Sequence, residues 1–281
     1  MNPLDISDGR TVVLLALTCS VLLKFGIEDR VGAKSYFADG SFIAYSQRRY
    51  ADEGLAARLS TRQYRLWYAL KWAGVLLLPW GGWVSVVGAG ILAWWFFRIE
   101  LAYDYKHHTI FLGLLSALVV LMGPRGLLLP ALPGTLERTQ PEILATICLS
   151  LLYLSSAVIK IKSRSFTSGQ VLDNLFDYWF VEHSRTQRQE ILVPFGVMRW
   201  ISSFSTVSKR KLFQILSIGA IAIELLLVPL LIIPNLWWIA FFLGTLMHLS
   251  FTTLYAWRLL PFLISCLSIY WMVHPWHLVL F

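Results

Sequence analysis

A succession of long apolar runs, each interrupted by at most one or two charges, constrains this chain more than any other feature. They fall at residues 11–26, 64–80, 83–97, 108–123, 142–161, 212–233, 236–257 and 259–280. A segment inside hydrocarbon has no water to satisfy its backbone, so it must close its own hydrogen bonds as a helix. About 17 to 25 apolar residues suffice for one crossing, the runs at 83–97 and 108–123 being the short ones. The expectation is an all-α integral membrane protein, a bundle of roughly eight transmembrane helices forming a single domain over residues 1–281, with no separate soluble domain. Pro79 with Gly81-Gly82, and Pro234-Asn235, punctuate the runs as turns. Gly88 and Gly90 read as close-packing positions.

Composition agrees. The chain is 57% hydrophobic and 14% charged, where a soluble domain is nearer half and a quarter. Thirteen Trp and eleven Tyr suit the membrane–water interface. The formal charge of +8 is spread over short connections, a topology-setting pattern that argues against a nucleic-acid partner. Lys209, Arg210 and Lys211 favour a cytoplasmic start for the 212–233 run. Cys19, Cys148 and Cys266 lie far apart in apolar runs, as buried hydrophobes rather than a disulfide frame or zinc site. The first run follows Asp5 and Asp8 instead of a basic segment, so a retained helix is expected rather than a cleaved signal. Residues 166–204 alternate aromatic and polar side chains, as amphipathic interfacial helices do. The 27–62 stretch is mixed in charge and is expected to include a surface helix near 52–60.

Ionisable groups at membrane depth are costly and usually mark a site. Glu224 lies roughly 16 Å before the Pro234 turn and His248 roughly 20 Å after it, so two antiparallel helices hold them at similar depth. They form either an inner polar site or a structural contact between helices. In either case both are expected to point inward, within direct or one-water reach of each other or of a shared ligand. Arg98, Glu100, Asp104, Lys106, His107 and His108 crowd one connection. There Asp104 and His108, four residues apart, can orient an imidazole on a helix. That connection reads equally as a solvated loop. Lys160 ends its run either as a desolvated base or as a lysine snorkelling to the headgroups. No metal-ligand spacing, phosphate loop or dinucleotide fingerprint is present, and no metal is expected. His274 and His277 read as an interfacial cap.

Three blocks, in order, resemble the HTTM family, the transmembrane region shared with vitamin K-dependent γ-glutamyl carboxylase. Asp104-Tyr-Lys-His-His-Thr-Ile-Phe-Leu-Gly-Leu-Leu is similar to its His-bearing helix start, with His108 on the His. Residues 153–169 resemble its Tyr-x-x-Ala-Gly-x-x-Lys-Leu…Trp-x-x-Gly segment, with Lys160 best matching the Lys. Ala157 stands for the Gly and Phe166 for the Trp, and Lys160 lies one residue further from Phe166 than in the family, which leaves Ile161 or Lys162 as alternative registers. Glu224 and His248 resemble its helices bearing an acid and then a His. The carboxylases carry a second His where this chain reads Met122-Gly-Pro-Arg-Gly-Leu, and a large extramembrane domain without counterpart in these 281 residues.

The resemblance implies a membrane enzyme of a bacterial cell membrane that modifies a peptide or small molecule. Lys160 would deprotonate vitamin K hydroquinone or another quinol. Oxygenation with O2 would then yield a strong base, and CO2 would add to the resulting carbanion of a glutamate side chain. His108 and Asp104 would be an acid–base pair at the pocket mouth, with Glu224, His248 and Arg98 as the inner polar site. Membrane lipid and a peptide substrate or partner protein are the implied partners. The alternative is a non-catalytic factor for maturation or export of a secreted peptide or peptide toxin. A solute transporter is disfavoured, because no inverted repeat or matching pair of broken helices is visible.

Overall fold

A computed structural model describes residues 9–31, 60–101, 107–130, 132, 139–186, 193–254 and 259–273. Most of the described residues are helical, with no strand among them. Four described helical segments are long and apolar enough to cross a membrane: Gly9–Ile27, Gly82–Glu100, Ile143–Lys162 and Thr206–Ile232. Such segments mark a membrane protein. Shorter apolar helices cover His108–Met122, Trp237–Phe251 and Leu260–Tyr270.

In chain order the α-helices are α1 (Gly9–Val31), α2 (Thr61–Leu77), α3 (Gly82–Trp94), α4 (His107–Met122), α5 (Thr139–Lys162), α6 (Arg164–Thr167), α7 (Gln170–Thr186), α8 (Phe195–Ser202), α9 (Thr206–Ile232), α10 (Trp237–Leu254) and α11 (Leu260–Val273). Residues 52–59 of the expected surface helix, Asp104 and the His274–His277 cap lie outside the described residues, and Ser60 is the N-cap of α2. The chain divides into two compact units, Met1–Cys148 with Ile264–Phe281, and Leu149–Leu263.

In the first unit, Ser60 starts α2 through a capping box, its hydroxyl accepting from the Gln63 N–H while the Gln63 side chain returns to the Ser60 N–H. A short 3-10 turn, Leu78–Trp80, ends that segment. Residues 124–129 then bond to the turn: Gly82 N–H donates to Pro124 O at 3.1 Å and Leu127 N–H to Pro79 O at 2.8 Å. The Met122-Gly-Pro-Arg-Gly-Leu stretch therefore serves as a backbone clasp. Helices α2 and α3 meet at Gly88, where a Cβ would stand 2.6 Å from Gly74 O. Only a residue without a side chain permits that approach. Gly90, by contrast, faces open space. Helix α3 runs on as a π-helical turn, Trp95–Glu100, so the expected hinge after residue 97 is partly helix. The wider winding turns Glu100 inward and leaves Arg98 exposed. Such turns inside helices often occur at functional sites.

In the second unit, Ser205 caps α9 through the Ser208 N–H. Helix α9 begins at Thr206 rather than near 212, so the basic stretch Lys209–Lys211 is its first turns. One face is buried: Phe213, Ser217, Ile221, Glu224, Leu227 and Leu231, the three-and-four spacing of a helix packed on one side. The 3-10 turn Pro234–Leu236 returns the chain into α10, which packs on α9. Such a short connection makes the two antiparallel neighbours. Helices α7 and α8 bury Leu172, Phe176 and Met198 against Phe213. Lys209 clamps α7 to α9 through Asp173 and Asp177, at 2.9 and 2.7 Å. Gly169, at φ +78, takes the chain from α6 into α7, and a Cβ there would lie 2.4 Å from Gln214 N on α9.

Candidate functional site

In the second unit the buried Glu224 and His248 both attach to α5. Tyr153, Ser156 and Lys160 follow one another at three- and four-residue steps, so all three side chains share one helix face. Lys160 does not snorkel. Its ammonium turns inward onto Glu224 Oε1, and Ser156 Oγ donates to the same oxygen at 2.9 Å. One turn earlier, Tyr153 Oη and His248 Nε2 are hydrogen-bonded at 2.8 Å. Glu224 from α9 and His248 from α10 are both buried, at 3% and 4% exposure. Their common attachment is α5, with Glu224 on Ser156 and Lys160, and His248 on Tyr153. The other neighbours are rings. Phe166 and Phe251 lie 5.4 and 4.6 Å from Lys160 Nζ, and Phe262 sits edge-on to the His248 ring at 5.3 Å. Ala157, Phe166 and Ile221 complete an apolar wall.

Sequence reading missed Tyr153 and Ser156 as parts of this set. Their spacing from Lys160 was the available signal, since residues three, four and seven apart on a helix point the same way.

The other expected residues are placed differently. Arg98 is exposed and lays its guanidinium over the Trp94 ring at 5.5 Å. It is therefore not an inner polar residue, because the π-helical turn points it outward. His108 is half-buried in the first turn of α4. Its expected partner Asp104 lies outside the described residues, so nothing is said of that pair. The acid of this connection that does turn inward is Glu100, 1% exposed. Lys24 of α1 meets Glu100 Oε1 at 2.5 Å, Thr109 Oγ1 donates to the same oxygen at 3.2 Å, and Trp95 Nε1 donates to Oε2 at 3.1 Å. Lys71, 1% exposed, lies nearby with its ammonium 4.1 Å from the Phe25 ring and 5.0 Å from Trp95. Lys24 and Lys71 carried the same signal as Glu224, a charge inside an apolar run. No group of three or more His, Cys, Asp or Glu that could hold a metal occurs among the described residues.

Chemically, the set on α5 can hold and move protons between side chains that are buried or largely so. A lysine hydrogen-bonded to a carboxylate can pass its proton to that carboxylate and become a free amine, the form that acts as a base. Tyr153 and His248 form a second donor–acceptor pair one turn away. The chain matches no protein-family description, no curated protein and no solved structure.

Proposed function

We propose that this protein is a multi-pass membrane enzyme of the HTTM, carboxylase-like type, acting on a peptide or small molecule with a quinol-type cosubstrate. Lys160 is its base. The observation that carries the reading is the Lys160–Glu224–Ser156 contact, an ammonium and a carboxylate joined among apolar helices and flanked by Phe166 and Phe251. The rings give the contact apolar surroundings, and Glu224 Oε2 is buried without a hydrogen-bond partner among the described residues. A quinol, with O2 and CO2, would supply the strong base and the added carbon. The chain's own part is to hold it and move its proton. Lys160 Nζ yields a proton to Glu224 Oε1 and takes one from the quinol hydroxyl, while Ser156 keeps the carboxylate oriented. Tyr153 and His248 serve as the neighbouring donor and acceptor. In this reading about eight helices span a bacterial cell membrane, α7 and α8 lie at its interface, and His108 with Asp104 stands at the mouth.

Peptide mass spectrometry of cells with the protein, without it, and with Lys160→Met tests the proposal. A mass gain of one CO2 that needs both the protein and Lys160 is expected. A product unchanged by Lys160→Met would overturn the catalytic role.

A second reading, a non-catalytic factor that matures or exports a secreted peptide, is favoured by the face of α7 and α8. Tyr178, Val181 and Trp200 are each more than half exposed there. In that case Lys160→Met leaves peptide maturation intact, and Trp200→Glu or Val181→Glu abolishes it.

A further inference from the structure

The exposed surface of α9 changes character abruptly near its start. Arg210 and Lys211 are exposed, and four and seven residues beyond Lys211 come Ile215 and Ile218, 69% and 52% exposed. No charge follows on that helix except the buried Glu224. A step from cations to apolar side chains within about 6 Å of helix axis is what the boundary between headgroups and hydrocarbon demands. A surface that binds a peptide needs no such order.

Helix α8 lies at the same level. Its Met198 shares a core cluster with Phe213 of α9, which stands only about 3 to 5 Å along the axis from Lys211 and Arg210. The outer face of α8 presents Val197 and Trp200, 41% and 62% exposed, and Arg199 is exposed with its guanidinium 5.2 Å from the Phe195 ring. The nearby acids are taken, since Asp173 and Asp177 of α7 pair with Lys209. Arg199, Arg210 and Lys211 pair with no acid among the described residues. We infer that these three cations dock onto the headgroups of anionic lipids in one membrane leaflet, with Trp200 and Val197 dipping beneath them. The inference rests on the interfacial placement of α8 in the reading above, adds to it the class of lipid, and does not depend on the quinol chemistry. Each cation held at a lipid surface favours anionic over zwitterionic lipid about fivefold.

The test places the full chain in nanodiscs of phosphatidylcholine with a minor share of phosphatidylglycerol, the acyl chains of one lipid or the other carrying bromine, which quenches nearby indoles. The Trp200 signal is the difference between wild type and Trp200→Phe. Per mole of brominated lipid, phosphatidylglycerol is expected to quench that signal about fivefold more effectively for each charge engaged, and high salt should lower the ratio. Replacing Arg199, Arg210 and Lys211 together by Gln should bring the ratio toward unity. Equal quenching by the two lipids in wild type overturns the anionic docking and leaves the interfacial placement standing. Quenching by neither overturns both, and leaves this face to the peptide partner of the second reading. A ratio unchanged in the triple variant overturns the assignment to these three residues. The wild-type comparison and its salt dependence decide the matter even if the triple variant fails to fold.

Discussion

Each unit buries a lysine–glutamate pair, and the two pairs differ in how fully the carboxylate is satisfied and how deeply the lysine is enclosed. Lys24 and Glu100 have side chains 9% and 1% exposed, with Thr109 and Trp95 completing the carboxylate's partners. Lys160 and Glu224 are 18% and 4% exposed, and one carboxylate oxygen is left over. A saturated, enclosed ion pair fixes helices in register, but it offers nothing to a ligand. A half-satisfied pair at the end of its helix is less stabilising and is equipped for chemistry. Under the proposed function, the first pair has a structural role and the second a working one.

The sharpest way to break that comparison is to remove each acid in turn. Glu100→Gln removes the carboxylate that Lys24 meets, and breaking a buried pair of this kind costs about 3 to 5 kcal/mol. Glu224→Gln is expected to cost less, about 1 to 3 kcal/mol, because Lys160 ends its helix and can extend toward the headgroups. Thermal unfolding in detergent would read both. If Glu224→Gln were the more destabilising, the two roles would have to be exchanged.

Gly169→Ala comes next. It forces a side chain into a left-handed backbone and onto Gln214 N, which should destabilise the second unit by about 2 to 3 kcal/mol. Gly90→Ala in the first unit meets nothing within 4 Å and should be neutral or stabilise by up to about 1 kcal/mol, since alanine is the better helix former. Equal losses at both positions would show that Gly169 is not held by its contact with α9.

A smaller effect is expected for Tyr153→Phe, which removes one bond to His248 at a cost of about 1 to 1.5 kcal/mol. Its unfolding midpoint should fall modestly, while under the proposed function its CO2-dependent product falls much further. Loss of stability and product in strict proportion would mean that Tyr153 only supports the fold. Least affected is Arg98→Ala, which forfeits one exposed stacking contact with Trp94, worth at most about 1 kcal/mol. A large loss there would restore Arg98 to the inner site.

Much of the architecture can be read from local pattern. The apolar runs at 11–26, 142–161, 212–233 and 236–257 became α1, α5, α9 and α10, because helix formation in an apolar run needs only the segment itself. The turns at Pro79–Gly82 and Pro234–Leu236 were equally local, since proline and glycine fix backbone angles wherever they stand. Glu224, His248 and Lys160 were visible too, as charges and an imidazole where the surrounding sequence offers no water.

Their partners were not visible, and the reason is geometric. Whether a lysine near a helix end reaches out to headgroups or in to a carboxylate depends on how its helix is rotated against the next one, and no run of sequence encodes that rotation by itself. Tertiary packing decided that Glu224 and His248 attach to α5, at Ser156 with Lys160 and at Tyr153. It also decided that a π-helical turn sends Glu100 inward and Arg98 outward, reversing their expected ranks. Sequence alone determined which groups must be sheltered from lipid. Only the folded chain determined which group shelters which, because a buried charge is satisfied by whichever donor the packing of distant helices brings within hydrogen-bonding distance.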